Sequence, residues 1–174
     1  MARGSVHQHE ALAIDLLVGA IAGAAATVAM TLAATAMHRR LPASEQYPLP
    51  PRELTQQVVD VVLDDASEPG MVAATLVSHV GFGAVVGGLF GLLRLGRTSA
   101  PGCCGVLYGL GVWVASYLGW IPASQLLRPA TDHPARRNIL MLVAHVVWGA
   151  TLDAANQGLR SSLPLFREGA FKDR

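Results

Sequence analysis

Four apolar runs constrain this chain more than any other feature. They extend from Leu16 to Met37, Met71 to Leu93, Gly102 to about Ala123 and Asn138 to about Leu159. Each has roughly the 20 residues that an α-helix needs to cross the hydrocarbon core of a bilayer. Lipid offers no hydrogen bonds to the backbone, so an apolar run of that length spans as a helix. The first and third runs carry no charge, and the second carries none except on His79. The fourth is clean until Asp153 and turns polar at Asn156 and Gln157. The expected fold class is all-α, a four-transmembrane-helix bundle, with residues 1–174 forming a single integral membrane domain.

Composition points the same way. The mean hydropathy is +0.40 and only 14% of residues are charged, whereas charged residues make up about a quarter of a soluble domain. Glycine and alanine are abundant, and small residues let helices approach closely in lipid. A net charge of +1 and the lack of a basic patch with interleaved aromatics argue against nucleic acid as a partner. Cys103 and Cys104 are adjacent, too close for an ordinary disulfide. They are read as small residues at the membrane interface. A cleaved leader is the rival reading of the first run, with Arg3 before it and "ATA" at Ala34 to Ala36. The run exceeds the 7–15 apolar residues usual in a leader, and Gln8, His9, Glu10 and Asp15 precede it, so it is read as a retained helix.

The one long polar stretch lies between the first two spans. "LPASEQYPLPP" is proline-rich and extended, and "PRELTQQVVDVVLDDA" then has a helical period. Pro51 suits its first turn. Leu54, Val58, Val61 and Val62 fall on one face, and Glu53, Gln56, Gln57, Asp60 and Asp64 on the other. This short amphipathic helix is expected to lie across the mouth of the bundle. The polar residues 161–174 are read as a C-terminal tail. With four spans both termini share a side. Arg94 and Arg97 sit in the short central loop, where the positive-inside rule counts most, so both termini are expected to be cytoplasmic.

Two short stretches align without gaps. Ser78-His79-Val80-Gly81-Phe82-Gly83-Ala84 matches Ala144-His145-Val146-Val147-Trp148-Gly149-Ala150. "LPASEQ" after the first run is echoed by "IPASQ" after the third, in the same order. The chain therefore reads as two tandem helical hairpins, about 12–95 and about 102–160, related by an axis along the membrane normal. His79 and His145 would lie at similar depth. Each continues a stripe of residues four apart: Thr75, His79, Gly83, Gly87, Gly91 in one, and Met141, His145, Gly149, Asp153, Gln157 in the other. The first run carries Gly19, Gly23, Thr27, Thr31 and Thr35. The third carries Gly105 and Gly109, followed by Gly111, Ala115 and Gly119. Such stripes mark close helix contacts, so both histidines and Asp153 are expected inside.

An ionisable residue within a membrane span is a functional candidate. The bland alternative is a neutral histidine that fixes helix register with one hydrogen bond, worth about 0.6 kcal/mol. The functional readings are three. His79, His145 and Asp153 could handle protons or a small solute, since histidine titrates near neutrality. His79 and His145 could instead supply both axial ligands of a b-type haem, although the leading expectation is that no cofactor is held. Or the small-residue stripes could serve a homo-oligomer or a subunit of a larger membrane complex. No metal site is expected, since four clustered ligands are lacking. The motifs of phosphate loops, serine hydrolases and zinc peptidases are all missing, so no enzyme activity and no catalytic residue is expected. Trp120, near the end of the third span, suits an interfacial anchor, whereas Trp113 and Trp148 are read as core.

"PLPPRE" at Pro48 to Glu53, a following span with an early histidine, and "AHVVWG" at Ala144 to Gly149 resemble the YagU-like family of small bacterial inner-membrane proteins. The resemblance implies four spans, an inner-membrane location and a link to acid tolerance. It brings no catalytic residues. By motif match it singles out Pro50, Pro51, Arg52, His79, His145 and Trp148.

Overall fold

The structure is a computed structural model. It describes residues 2–62, 67–93 and 103–163, with side chains described within 9–59, 67–93 and 103–163. All regular structure among the described residues is helical. Helix α1 covers Ala2–His38, α2 Pro50–Val62 and α3 Glu68–Leu93. Helix α4, Cys103–Val114, runs through a π-helical stretch, Ala115–Trp120, into the short α5, Ile121–Ala123. Helix α6 covers Ala135–Ser162.

Four stretches are long and apolar enough to cross a membrane: His9–His38, Glu68–Leu93, Cys103–Ala123 and Ala135–Ser162. The protein is thus an all-α, multi-pass membrane bundle. Exposed residues such as Ile21, Leu32, Val77, Val85, Leu107 and Ile139 make an apolar outer surface suited to lipid.

Helix α1 packs against α3 and α6, and α6 packs against α4. The central pair is therefore α1 and α6. Its contact carries Ala22, Ala26, Ala144 and Leu152, all with no solvent exposure. Each sequential hairpin closes on glycine. In the first, a Cβ on Gly87 would meet the Gly19 carbonyl oxygen at 2.5 Å and the Gly23 Cα at 2.6 Å. In the second, a Cβ on Gly105 would strike the Gly149 carbonyl oxygen, and one on Gly109 the His145 carbonyl oxygen. Only hydrogen fits at such a seam, and backbones this close gain dispersion contacts that lipid tails cannot match. Not every glycine of the third run joins in. Gly111 is exposed with open space around it, because a step of two residues crosses to the far side of a helix.

Along their length α3 and α4 meet mainly through side chains. Tyr108 Oη donates to the Val86 carbonyl at 2.8 Å, and the Tyr108 ring lies 5.1 Å from that of Phe90. Nearer the α2 end, Phe82 and Trp120 are 6.3 Å apart. This is the loosest wall of the bundle.

The π stretch has a local cause. Pro122 has no N–H to donate, and its ring crowds the carbonyl four residues back, Leu118. The helix relieves that crowding by widening, with Gly119 leaving helical geometry at φ −111° and ψ −109°. The two "PAS" stretches differ locally. Pro42 is extended and precedes a 3₁₀ turn over Ala43–Glu45, whereas Pro122 lies inside α5.

Candidate functional site

Helix α2 is amphipathic, and its apolar side decides where it lies. Leu54, Val58 and Val59 face a cavity of about 510 Å³, and Thr55 is buried against α3. The side chains of Val61, Val62, Asp60 and Asp64 lie outside the described residues. Thr55 Oγ1 donates to the Pro51 carbonyl at 2.8 Å, and the Thr55 and Ser78 hydroxyls are 3.0 Å apart. Pro50 and Pro51 also line the cavity. Arg52 points away from it and donates from Nη2 to Glu68 Oε2 at 2.7 Å, tying the start of α2 to that of α3.

The cavity wall brings together His79 of α3, His145 of α6, and Ser116 and Tyr117 of the π stretch. His145 is 7% exposed and Ser116 is 5% exposed, so both are interior groups. The Tyr117 ring meets that of His145 edge-on at 6.3 Å. Much of the remaining lining is apolar, including Met30, Phe82, Trp120, Ile121 and Met141. None of the lining residues is Asp, Glu, Lys or Arg.

Hydrogen bonds settle the tautomers. His145 Nδ1 lies 2.8 Å from the Met141 carbonyl, which can only accept, so Nδ1 carries the proton. The Thr31 hydroxyl donates to the Thr27 carbonyl at 2.8 Å, so at His79 it accepts from Nδ1, at 3.4 Å. Both rings are thereby left with Nε2 as a bare acceptor. His79 also lines a second cavity of about 260 Å³, which extends to His38 and Arg52. The ring therefore stands between two cavities.

Beyond the histidines an aromatic layer closes the bundle. Trp148 is 3% exposed and donates from Nε1 to Thr27 Oγ1 at 3.0 Å. Its ring is 6.1 Å from that of Tyr108, which in turn meets Phe90. Trp113 is half-buried and stacks on Tyr117 at 6.0 Å. Trp120 is 46% exposed at the cavity rim.

Asp153 lies on the far side of that layer and is fully buried, well apart from the histidine cavity. Its neighbourhood holds a polar group that sequence reasoning passed over. Asp15 pairs with Arg160, which also donates from Nε to Asn156 Oδ1 at 2.8 Å and from Nη2 to the Gly91 carbonyl at 3.2 Å. Asp15 and Asn156 are buried, at 2% and 1% exposure. The pair fastens α1, α3 and α6 together at one end of the bundle. Arg160→Gln should lower stability by about 2 kcal/mol, because the buried Asp15 carboxylate loses its cation while some hydrogen bonding survives. Unfolding of the two proteins in mixed micelles measures the difference, and equal midpoints would contradict the assignment.

A last polar cluster holds the connector before α2. Arg137, only 4% exposed, donates from Nη1 to the Glu45 and Tyr47 carbonyls at 3.1 and 2.8 Å, and from Nη2 to the Pro48 carbonyl at 2.9 Å. Its guanidinium lies 3.5 Å from the centre of the Tyr47 ring. Tyr47 Oη is 2.8 Å from His133 Nδ1. These contacts position α2 over the cavity.

The architecture and the buried polar groups define a multi-pass α-helical membrane protein with a roofed, uncharged interior cavity. No family model, curated protein or solved structure matches the chain.

Proposed function

We propose that this chain is a non-enzymatic protein of the bacterial inner membrane that handles protons, or a small solute that exchanges them, at the cavity shared by His79 and His145. One observation carries the reading: the two histidines come from different hairpins and line one cavity, each with Nε2 free to accept. Histidine is the side chain whose charge changes most readily near neutral pH. The smaller cavity beside His79 reaches His38 and Arg52 near the mouth, which offers a route from water. The resemblance to the YagU-like family, with its link to acid tolerance, agrees. In this reading the two hairpins are repeated units, the bilayer is the obligatory partner, and both termini are cytoplasmic. The α2 mouth then faces the opposite side.

The aromatic layer of Trp148, Tyr108 and Phe90 separates the cavity from Asp153. Passage across the bundle requires that layer to open, so binding or one-sided protonation is the resting behaviour. Proton flux into proteoliposomes tests the proposal. His79→Ala and His145→Ala should each reduce flux several-fold, with the bundle still folded by circular dichroism. Flux equal to wild type in both variants would remove the basis of the reading. A Soret band in protein purified after haem supply would replace it with a bis-histidine haem protein.

A further inference from the structure

We infer that the His79–His145 cavity binds a neutral amphiphile dissolved in the membrane, one whose head group is a hydroxyl. This rests on the proposed function in taking that cavity as the working site, and it adds the chemical class of the ligand.

The inference starts from the donor and acceptor inventory. His145 Nδ1–H is committed to the Met141 carbonyl and His79 Nδ1–H to Thr31, so both rings offer an acceptor nitrogen. The Thr55 hydroxyl proton is committed to the Pro51 carbonyl. Ser78 Oγ has the Thr75 carbonyl at 3.2 Å and Thr55 Oγ1 at 3.0 Å. The Tyr117 hydroxyl is different: Tyr117 lines the cavity, and its Oη is buried with no hydrogen-bond partner among the described residues. A buried polar group without a partner is costly, and a ligand that supplies one recovers that cost. A hydroxyl satisfies the set, because it donates to an imidazole Nε2 and accepts from the Tyr117 hydroxyl. An ether or a hydrocarbon cannot donate. A carboxylate, a phosphate or an ammonium would enter a site whose lining has no formal charge to pair with it.

The walls select the rest of the molecule. Leu54, Val58, Phe82, Ile121 and Met141 surround the polar groups with apolar surface. The volume of about 510 Å³ falls within the range of small-molecule sites, about 300–1,000 Å³. Phe82, Trp120 and Val58 line the cavity while remaining 41%, 46% and 51% exposed, so they form its rim. Phe82 shares α3 with the outward Val77 and Val85, which form part of the lipid-facing surface, and it meets Trp120 across the loosest wall of the bundle. Entry from the membrane, head first between α3 and the π stretch, follows from that placement.

The test uses the full chain in nanodiscs with ¹⁵N-labelled histidine. Three probes are titrated: decylhydroquinone, its dimethyl ether and 1-dodecanol. The expected result is a saturable upfield shift of the His79 and His145 Nε2 signals with the hydroxyl probes and none with the ether. His145→Ala assigns its own signal by removing it. Tighter binding of the hydroquinone identifies an aromatic diol as the ligand, and equal binding of dodecanol an aliphatic alcohol. Tyr117→Phe, which removes only the hydroxyl and keeps the ring, should weaken the hydroxyl probes about three- to tenfold. An equal shift with the ether, or no saturable shift with either hydroxyl probe, overturns the inference. Histidine-dependent proton flux without any probe shift would overturn it while leaving the proton reading intact. Probe shifts with flux indifferent to both histidines would do the reverse.

Discussion

Leucine in place of Gly87 should destroy the folded bundle, whereas leucine at Gly81, six residues earlier on the same helix, should be tolerated. A Cβ on Gly87 would lie 2.5 Å from the Gly19 carbonyl oxygen, 2.6 Å from the Gly23 Cα and 2.9 Å from the Gly23 nitrogen. All three are backbone atoms of α1, so no rotamer change relieves the overlap. The helices must separate, and the seam at Gly83 and Gly91 separates with them. Overpacking a core usually costs about 1–3 kcal/mol. Here the whole α1–α3 contact is forfeited, and a loss of at least about 3 kcal/mol is expected. Gly81 has nothing within 4 Å of its Cβ position and faces outward. Unfolding midpoints in mixed micelles compare the two. A Gly87→Leu protein as stable as Gly81→Leu would mean that α1 and α3 do not meet at this seam.

The glycine stripes also show why one part of the interior is readable from sequence and another is not. In lipid the apolar runs must be helices, so the class of fold follows from hydropathy alone. Their ends do not. Helix α1 begins at Ala2 although its apolar run begins at Leu16, because nothing in residues 2–15 breaks a helix. A stripe of residues four apart is a further guide, but it drifts. Each step turns 400°, so the line rotates by about 40° per turn of helix. Over one or two steps the error is small, and His145, Gly149 and Asp153 are all buried. By Gln157 the line has left the interior, and Asn156 takes the buried position, with Arg160 four residues beyond it. The same stripe extended one step back from Gly19 would have reached Asp15. That residue looked like a polar flank of the span, and it is a buried partner of Arg160.

Two features left weaker traces. The π stretch has no periodicity of its own, and Pro122 alone marked it, within the "IPASQ" echo at the end of the third run. Ser116, which that stretch places on the cavity wall, was one hydroxyl among several in the spans. Arg137 was hidden for a different reason. Beside Arg136 it resembles a pair of loop charges, while the carbonyls it holds lie 89 to 92 residues earlier in the chain. A partner that is backbone leaves no complementary charge in the sequence to betray it.

Arg137 is accordingly the residue whose replacement should matter most outside the glycine seams. Arg137→Met keeps the length of the side chain and removes its hydrogen bonds to three carbonyls, those of Glu45, Tyr47 and Pro48. It also removes the cation over the Tyr47 ring, worth about 0.5–2 kcal/mol. Hydrogen bonds from a charged donor contribute about 1.5–3 kcal/mol each, but the three share one side chain and are not additive. The expected loss is about 3–5 kcal/mol, centred on the connector. The connector ends at Pro50 and Pro51, which form part of the cavity wall and begin the helix that covers it. Freed of Arg137, residues 41–49 should become the first site of limited proteolysis, and α2 should lose its seat on α3. Arg136 is the control: its side chain is 66% exposed and lies 3.8 Å from Glu45, so Arg136→Ala should change stability by less than about 1 kcal/mol. Arg137→Lys discriminates further, since an ammonium can engage these carbonyls only as a point charge and lacks the planar fork. It should fall between wild type and Met. If Met and wild type resist protease equally between residues 41 and 49, the clamp is not what holds α2 in place. The cavity roof would then depend on the contact of Thr55 with Ser78 and the pairing of Arg52 with Glu68.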